Sequence, residues 1–228
     1  MAILSDIHGN FPALVAVLRR IEALGCGAIY SLGDVGGYYC LINECIERLR
    51  ERGIVHLMGN HDRYLVTGQP CPRSNSANTC LDYQRRMIAP DHLEWLAAAP
   101  PSLQLGNVSM VHGGWEDPTD EYLYRVTADY FADRPGRFFF SGHTHVQVLA
   151  AFGPQVYCNP GSVGQPRDGD PRAAFAVFDG GQITLVRVEY DVAAVTAAMQ
   201  RAGFPPHFFS NLYQGTKIGG ALAEVRVG

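Results

Sequence analysis

Several polar stretches of the sequence contain the residue types that bind metal ions and transfer protons. The stretch Met58-Gly59-Asn60-His61-Asp62 brings an amide, an imidazole and a carboxylate together directly after the apolar run 54–57. Asn and Asp also suit an ordinary turn, so this stretch alone leaves a polar turn and a functional loop equally open. Four further stretches, each at the end of a predicted strand, carry Asp6 and His8, Asp34, His112, and His143 and His145.

The elements that must position these side chains follow from the hydrophobic pattern. Apolar runs predict strands at 1–5, 28–32 and 54–57, and helical spacing predicts helices at 11–24 and 41–52. This alternation is typical of a parallel α/β sheet. Ligands of such sheets bind beyond the carboxyl ends of the strands. The first three polar stretches follow those ends directly, so we expect them to form loops whose side chains converge.

The second half of the chain favours short strands joined by tight turns. Turn signals such as Gly106-Asn107 between apolar runs predict antiparallel hairpins. Residues 68–79 read as a surface loop, and residues beyond Pro205 give no clear pattern. We therefore expect one domain over residues 1–228, with two β-sheets packed face to face and helices outside. The predicted helices are 78–88, 91–98, 127–133 and 191–203, and the predicted strands are 102–105, 108–111, 137–140, 147–152, 155–158, 173–178 and 182–190.

Composition excludes several functional classes. The apolar content of 47% and the charged content of 18% are ordinary for a globular domain. A net charge of -4 and a pI near 6.0 provide no general attraction to nucleic acid or to anionic lipid. No apolar run reaches 18 residues, and the N-terminus lacks the pattern of a signal peptide. Six cysteines without a C-x-x-C pair are typical of free thiols, so we expect a cytoplasmic protein without a membrane partner.

The donor set itself points to a two-metal centre. Together the polar stretches offer two carboxylates, one amide and four imidazoles, which exceeds the needs of one ion with an open position and suits two. Oxygen and nitrogen donors without thiolate suit divalent Mn, Fe, Zn, Co or Ni, and the sequence does not choose among these metals. Two such ions can hold a shared hydroxide that attacks phosphorus, and they can bind the phosphate oxygens. We therefore expect hydrolysis of a phosphoester.

The ordered motifs resemble those of the calcineurin-like metallophosphoesterase superfamily. That family pattern is Asp-x-His, Gly-Asp, Gly-Asn-His-Asp or Glu, a later His, and Gly-His-x-His, each after a strand. Every element occurs here in the same order across about residues 1–165. The resemblance implies a four-layer α/β-β/α sandwich with two mixed sheets. The matching segments are Asp6-Ile7-His8, Gly33-Asp34, Gly59-Asn60-His61-Asp62, His112 and Gly142-His143-Thr144-His145.

The same resemblance implies a role for each residue. His61 would face the substrate as the catalytic proton donor, because an imidazole can be tuned to neutral pH. Asp62 would support His61 by fixing its tautomer. Apart from the resemblance, His56 lies inside a predicted strand and is interpreted as a packing or solvated residue. One metal would be bound by Asp6, His8 and His145, the other by Asn60, His112 and His143, and Asp34 would bridge both.

The details of the motifs narrow the predicted substrate. Protein phosphatases and symmetrical dinucleoside tetraphosphatases of the superfamily usually have an arginine soon after the Gly-Asp motif, and this chain has Val35-Gly36-Gly37-Tyr38 instead. The stretch Asn43-Glu44-Cys45 and the segment 159–167 together resemble small bacterial and archaeal phosphodiesterases, so we expect a phosphodiester or another small phosphoester. The alternatives are a protein phosphatase or a symmetrical dinucleoside tetraphosphatase of the same superfamily, a nuclease, and a binding scaffold without activity. Candidate substrate-binding residues are Tyr38, Asn43, Ser162 and Arg167.

Overall fold

The computed structural model describes residues 1–228, whose core contains two five-stranded β-sheets. None of the helices combines the length and apolar character needed to cross a membrane. The strands are β1 (Ala2–Leu4), β2 (Ile29–Ser31), β3 (Val55–His56), β4 (Ser102–Leu105), β5 (Val108–Val111), β6 (Arg125–Val126), β7 (Phe138–Phe140), β8 (Gln147–Phe152), β9 (Gln155–Pro160), β10 (Ala173–Asp179), β11 (Gln182–Val188) and β12 (Arg226–Val227). The helices are α1 (Phe11–Ala23), α2 (Ile42–Glu51), α3 (Asn60–Thr67), α4 (Asn75–Met87), α5 (Pro90–Ala97), α6 (Ala128–Phe131) and α7 (Val192–Arg201), followed by 3₁₀ turns at Pro206–Phe208 and Ser210–Tyr213.

The first sheet has the strand order β11-β10-β1-β2-β3 and contains the predicted β-α-β-α-β unit. Strands β1, β2 and β3 are parallel, whereas β10 runs antiparallel to both β1 and β11. Because β1, β2 and β3 are parallel, their carboxyl ends meet at one edge of the sheet. Helix α1 begins where the Asn10 side chain accepts a hydrogen bond from the Ala13 amide at 3.2 Å.

The second sheet has the order β4-β5-β7-β9-β8 and is also mixed. Hairpins were predicted, and β4/β5, β8/β9 and β10/β11 are indeed antiparallel neighbours. The hairpin signals gave no indication of the centre of this sheet, where β5, β7 and β9 run parallel, as in the mixed sheets that the family resemblance implied. The long segment 112–137 is a crossover that returns the chain to the starting end of β5 before β7 begins. Strands β5 and β7 consequently end at the same edge, with His112 and the 143–145 motif directly beyond them.

Hydrophobic burial organises the chain into four layers. Between the sheets, Ile3 and Leu32 of the first sheet belong to one apolar cluster with Met110 and Phe140 of the second. Helices α1, α2 and α7 cover the outer face of the first sheet. The outer face of the second sheet is covered by a thinner layer that includes Phe131 of α6. The α/β fold class and the two mixed, face-to-face sheets are thus confirmed.

Two helices begin where the sequence predicted loops. Residues 60–62 form the first turn of α3, because the Asp62 carboxylate reaches back to accept from the Gly59 amide at 3.2 Å. Helix α4 starts three residues earlier than predicted, since the Ser74 hydroxyl caps it by accepting from the Ala77 amide. In the unpredicted tail, β12 pairs with β6 as a short parallel ribbon.

We predict that Phe140→Ala lowers the free energy of unfolding by about 3–5 kcal/mol. Phe140 is fully buried between the sheets, and its ring packs edge-on against Phe178 at 5.9 Å between centroids. Chemical denaturation measures the change. Tyr213→Ala is the matched control, because that side chain is 58% exposed. Equal stability of the two variants would contradict this placement of the core.

Candidate metal centre and active site

Unusual backbone conformations are concentrated at the predicted metal ligands. Only five residues other than glycine have a positive φ, with values between 52° and 65°. L-residues adopt this left-handed region rarely and at a cost of about 1–3 kcal/mol each. Each of the five lies just beyond β1, β2 or β7, where the backbone must turn sharply to aim its side chain at the sheet edge. They are Asp6, His8, Asp34, His143 and His145.

One group of donors is formed by Asp6, His8 and His145, all buried. The Nε2 atoms of His8 and His145 lie 3.1 Å apart. The Oδ1 atom of Asp6 is 3.2 Å from His145 Nε2 and 3.7 Å from His8 Nε2. Both Nδ1 atoms donate to backbone carbonyls, those of Gly36 and Gln165, at 2.6 and 2.7 Å. A neutral imidazole that donates through Nδ1 has only a lone pair at Nε2. Three lone-pair donors therefore point at one another, which is the arrangement of a cation site.

A second group is centred on His112. Its Nε2 atom lies 3.1 Å from His143 Nδ1, 3.2 Å from Asn60 Oδ1 and 3.4 Å from Asp34 Oδ2. Asp34 Oδ2 is also 3.8 Å from the Nε2 atom of His8 in the first group. The Asp34 carboxylate thus lies between the two groups. The structure brings all seven predicted ligands together at the carboxyl edge of the sheets.

The charges of this cluster call for a cation. Asp6 Oδ1 and Asp34 Oδ2 are buried and accept no hydrogen bond, an expensive arrangement for a carboxylate without a positive partner. Burial alone would raise the pKa of Asp6, yet His145 and other imidazoles hold it well below its usual range. Burial disfavours a charged His112, but Asp34 and Asp6 raise the pKa of its imidazole to about 9. Divalent ions would supply the positive charge that these carboxylates otherwise draw from a proton.

The donors fit the metals that the sequence predicted. Each group combines a carboxylate oxygen with two imidazole nitrogens, and the ligand atoms within each group lie within 4.8 Å of one another. No cysteine belongs to either group. Such mixed oxygen and nitrogen sites suit Mn, Fe, Zn, Co or Ni, and nothing in the donor set selects one of them.

Asp62 holds the loops of the cluster rather than the His61 ring. Its carboxylate accepts from the amides of Asp34 at 2.7 Å and Gly36 at 2.9 Å, besides that of Gly59. His56 Nε2 lies 2.9 Å from Asp62 Oδ2. The prediction that Asp62 fixes the tautomer of His61 is wrong, because the first turn of α3 directs this carboxylate back toward the backbone.

His56 supports Asp62, a role that the sequence analysis did not assign to it. It bridges Asp62 and Ser31, whose hydroxyl oxygen is 2.9 Å from its Nδ1 atom, and its ring stacks on Trp95. Burial would raise the pKa of Asp62, but His56 and the bound amides hold it below its usual range. A buried histidine next to a polar loop was the signal in the sequence. Its partner became visible only once the direction of Asp62 was known.

His61 sits beside the ligands at the bottom of a cavity. Its amide donates to Asp34 Oδ1 at 2.8 Å, whereas its Nδ1 atom is buried and has no hydrogen-bond partner. Burial and the nearby charge of Arg167 lower the pKa of the imidazole to about 3. The ring is therefore neutral at pH 7 until an anion approaches it.

The cavity above His61 has a volume of about 390 Å³, within the range of small-molecule sites. Of the predicted substrate-binding residues, Tyr38 and Arg167 line it. Ser162 does not, because its hydroxyl donates to the Asp6 carbonyl and accepts from the Gln165 amide. The other lining residues, which the sequence analysis had not assigned, are Cys71, Arg73, Ser74, Ser76, Tyr122, Tyr124, Gln165, Lys217 and Ile218.

Asn43 lies away from the cavity and has a structural role. Its amide group donates to the Met87 carbonyl at 2.8 Å and accepts from the Ala89 amide at 2.9 Å. These bonds tie α2 to the connection between α4 and α5. The hydrogen bonds of this side chain serve the packing of the helices, so we remove Asn43 from the candidate substrate site.

Comparison with known proteins shows which family model, relative and solved structures this chain is similar to. The model of the calcineurin-like phosphoesterase superfamily domain matches residues 1–181, which include every candidate ligand. An uncharacterised protein of Methanocaldococcus jannaschii is 30% identical over 240 residues, covering 94% of this chain and 98% of that protein. The crystal structure of a metallophosphoesterase from Sphaerobacter thermophilus has a TM-score of 0.83 and 33% identity, covering 94% of this chain and 98% of its own. A hypothetical protein of Pyrococcus horikoshii has the same fold, with a TM-score of 0.83, 21% identity and coverage of 95% and 98%.

We predict that His56→Phe lowers the free energy of unfolding by roughly 3 kcal/mol, because it leaves the buried Asp62 carboxylate without its imidazole partner. The variant should also retain less metal, since Asp62 positions the Asp34 loop. Denaturation and elemental analysis measure the two effects. His207→Phe changes an exposed histidine and is the control. Wild-type stability and metal content in His56→Phe would show that Asp62 does not need this partner.

Proposed function

This chain belongs to the calcineurin-like phosphoesterase superfamily, and we propose from that premise that it hydrolyses phosphodiesters or other small phosphoesters with two divalent metal ions. Members of the superfamily hydrolyse phosphoesters and typically bind divalent metals. The observation that carries the proposal is the position of the Asp34 carboxylate between two groups of buried donors. A single carboxylate in reach of both groups suits a centre of two adjacent ions.

The residues have distinct places in this proposal. Asp6, His8 and His145 would hold one ion, Asn60, His112 and His143 the other, and Asp34 both. Metal ions bound there would supply a nucleophile at neutral pH and neutralise the charge that develops on the phosphoryl group. The protein's own contribution is to fix these donors, bind the substrate and move protons.

His61 is the proposed proton donor to the leaving group. It lines the cavity beside the ligands and has a free Nδ1 atom. Burial and Arg167 keep the ring neutral in the protein alone, but an anionic phosphoester beside it would favour the protonated form. Asp62 takes part indirectly, by holding the loops that place Asp34 and His61.

Arg167 is the proposed anchor for the phosphate. Its guanidinium is only 5% exposed, yet it forms no ion pair with a carboxylate. Its hydrogen-bond partner is the Gln165 side-chain oxygen, at 3.0 and 2.7 Å, and the Tyr38 ring lies 5.3 Å from it. A buried cation with only neutral partners favours an anionic ligand. This favours the enzyme over a scaffold without activity.

The cavity also favours a small substrate over a protein. The segment 71–76 and the residues Lys217 and Ile218 wall it in, so a reacting phosphate must enter a confined space. The absence of an arginine at the Gly-Asp motif separates the chain from the protein phosphatase pattern, as the sequence analysis argued. A nuclease gains no support from a net charge of -4.

The direct test is a hydrolysis screen after metal removal and reloading. We expect protein reloaded with Mn²⁺, Zn²⁺, Co²⁺, Ni²⁺ or Fe²⁺ to cleave bis(p-nitrophenyl) phosphate or p-nitrophenyl phosphate. Protein from which the metal has been removed by a chelator should cleave neither ester. Nucleotide substrates extend the series. Two bound ions without activity on any substrate would contradict the proposal and favour the scaffold.

We predict that Asp34→Asn reduces activity to background and lowers the number of bound ions, because an amide cannot supply the shared negative charge. Elemental analysis and the same chromogenic assay measure both effects. Asp170→Asn, which alters a surface carboxylate paired with Arg172, is the matched control. Full metal content and activity in Asp34→Asn would exclude the bridging role.

We predict that His61→Gln keeps both metal ions but lowers kcat by about 10²–10⁴-fold, the usual contribution of a positioned proton donor. The loss should be larger for esters with poor leaving groups, which depend more on the proton. Rates for a series of phenyl esters measure this dependence, with His207→Gln as the control. A fall in metal content would make His61 a ligand instead.

A further inference from the structure

The cavity concentrates positive charge in an acidic protein. Among its twelve lining residues, Arg73, Arg167 and Lys217 are cationic and none is acidic, whereas the whole chain carries a net charge of -4. One phosphate at the metal centre would already be met by the metal ions and by Arg167. The remaining positive groups therefore exceed what a single phosphoester needs.

Lys217 is the clearest surplus cation. It is the only lysine of the 228 residues. Its ammonium is half-buried at the cavity and forms neither an ion pair nor a hydrogen bond with the protein. Burial and the nearby Arg167 lower its pKa, as expected for a cation without a counter-charge. Arg73, by contrast, is paired with Asp120.

A short turn in the tail holds Lys217 in place. The Lys217 amide donates to the Ala221 carbonyl, and the Gly220 amide donates back to the Lys217 carbonyl, both at 2.9 Å. The tail on either side of this turn is bonded to the segment that carries Arg167, through Ala223 N to Arg167 O at 2.7 Å and Gly169 N to Gly215 O at 3.0 Å. The turn is therefore anchored at both ends.

A column of stacked rings links the surroundings of Lys217 to the candidate metal ligands. The Tyr122 ring packs on His143 with 3.6 Å between centroids, and Tyr124 stacks on Tyr122 at 5.2 Å. The Lys217 ammonium lies over the far member of this column, 5.6 Å from the Tyr124 centroid. Lys217 therefore adjoins Tyr124, whereas the ring that stacks on the candidate ligand His143 is that of Tyr122. The ammonium is placed for a different anionic group from the one at the metals.

The N-terminus of α4 opens on the same cavity. Ser74 and Ser76 line it, and the amides of Asn75 and Ser76 have no hydrogen-bond partner in the chain. Free first-turn amides and the helix dipole favour anions. The unpaired ammonium of Lys217 at the same cavity is an observation independent of the helix.

We propose that Lys217 and the N-terminus of α4 form an anion subsite for a second phosphate group of the substrate. The substrate class is then a small molecule with two phosphate groups, one held at the metal centre as the scissile ester and the other at the outer part of the cavity. This inference rests on the proposed hydrolase function and adds the substrate's second charged group.

The test compares two chromogenic diesters, thymidine 5′-p-nitrophenyl phosphate with and without a 3′-phosphate. Release of p-nitrophenol reports cleavage at one bond only. We expect Mn²⁺-loaded wild-type protein to prefer the 3′-phosphorylated ester in kcat/KM, and Lys217→Met to lose roughly tenfold or more of that preference. Lys217→Arg should retain the preference. Arg19→Met removes an exposed cation on α1 and should leave the ratio unchanged.

Binding without turnover separates this inference from the proposed function. Thymidine 3′,5′-bisphosphate should bind the metal-loaded protein more tightly than thymidine 5′-phosphate in calorimetry, and Lys217→Met should remove the difference. If neither diester is cleaved but this difference holds, the hydrolase proposal fails and the subsite stands. Equal affinities, or a preference that survives Lys217→Met, would overturn the subsite.

The single lysine allows a test in the unmutated chain. An amine-selective acetylating reagent can label only Lys217 and the Met1 amine, which donates to the Phe178 carbonyl. Thymidine 3′,5′-bisphosphate should slow labelling at Lys217 several-fold, measured by peptide mass spectrometry, and leave Met1 labelling unchanged. Equal labelling of Lys217 with and without this ligand would contradict its role in binding.

Discussion

The candidate site depends on the Asp34 carboxylate, because this carboxylate lies between both donor groups and also accepts the His61 amide. One of its oxygens accepts the His61 amide, and the other lies between the two donor groups without any hydrogen-bond partner. A buried carboxylate in this condition is tolerated only if positive charge arrives from elsewhere. In the protein alone, His112 favours a positive charge there, since Asp34 and Asp6 raise the pKa of its imidazole to about 9. Divalent ions would satisfy the same demand without a protonated ligand.

The loop that carries Asp34 needs support, because the parallel strands of the first sheet are only two or three residues long. Such short strands fix the loops beyond them weakly. Asp62 supplies this support, because its carboxylate accepts hydrogen bonds from the backbone amides of Asp34, Gly36 and Gly59. Hydrogen bonds to a charged group contribute about 1.5–3 kcal/mol each, comparable to the cost of a left-handed residue. The hydrogen bonds of Asp62 thus offset the strain of the Asp34 backbone.

The sequence predicted that the candidate ligands converge, because their positions follow from strand ends. A residue directly after a parallel strand lies at a known edge, whatever the exact loop conformation. The role of Asp62 could not be predicted in the same way, since it depends on the direction of one side chain at the start of an unpredicted helix. Asn43 and Ser162 show the same limit, because both are polar residues near the motifs whose hydrogen bonds serve the backbone. The parallel centre of the second sheet was missed because nothing local in 112–137 marks a crossover.

The cavity wall was beyond sequence reasoning for a different reason. Besides Tyr38, His61 and the segment of Arg167, the wall draws on three segments far apart in the chain, around 71–76, 122–124 and 217–218. The last of these follows a region without periodicity. The tail reaches the site only because β12 pairs with β6 and because it bonds to the segment at Arg167.

That attachment has a consequence for selectivity. The segments that carry Arg167 and Lys217, which both line the cavity, belong to one hydrogen-bonded unit. Their separation is therefore set by the backbone and not by flexible side chains alone. Under the proposed function, a cavity with two cations at a fixed spacing would discriminate between substrates by the distance between their anionic groups, while the reaction would depend on the strand-end residues. Substitutions in the tail would then change which ester is preferred without altering the candidate metal ligands.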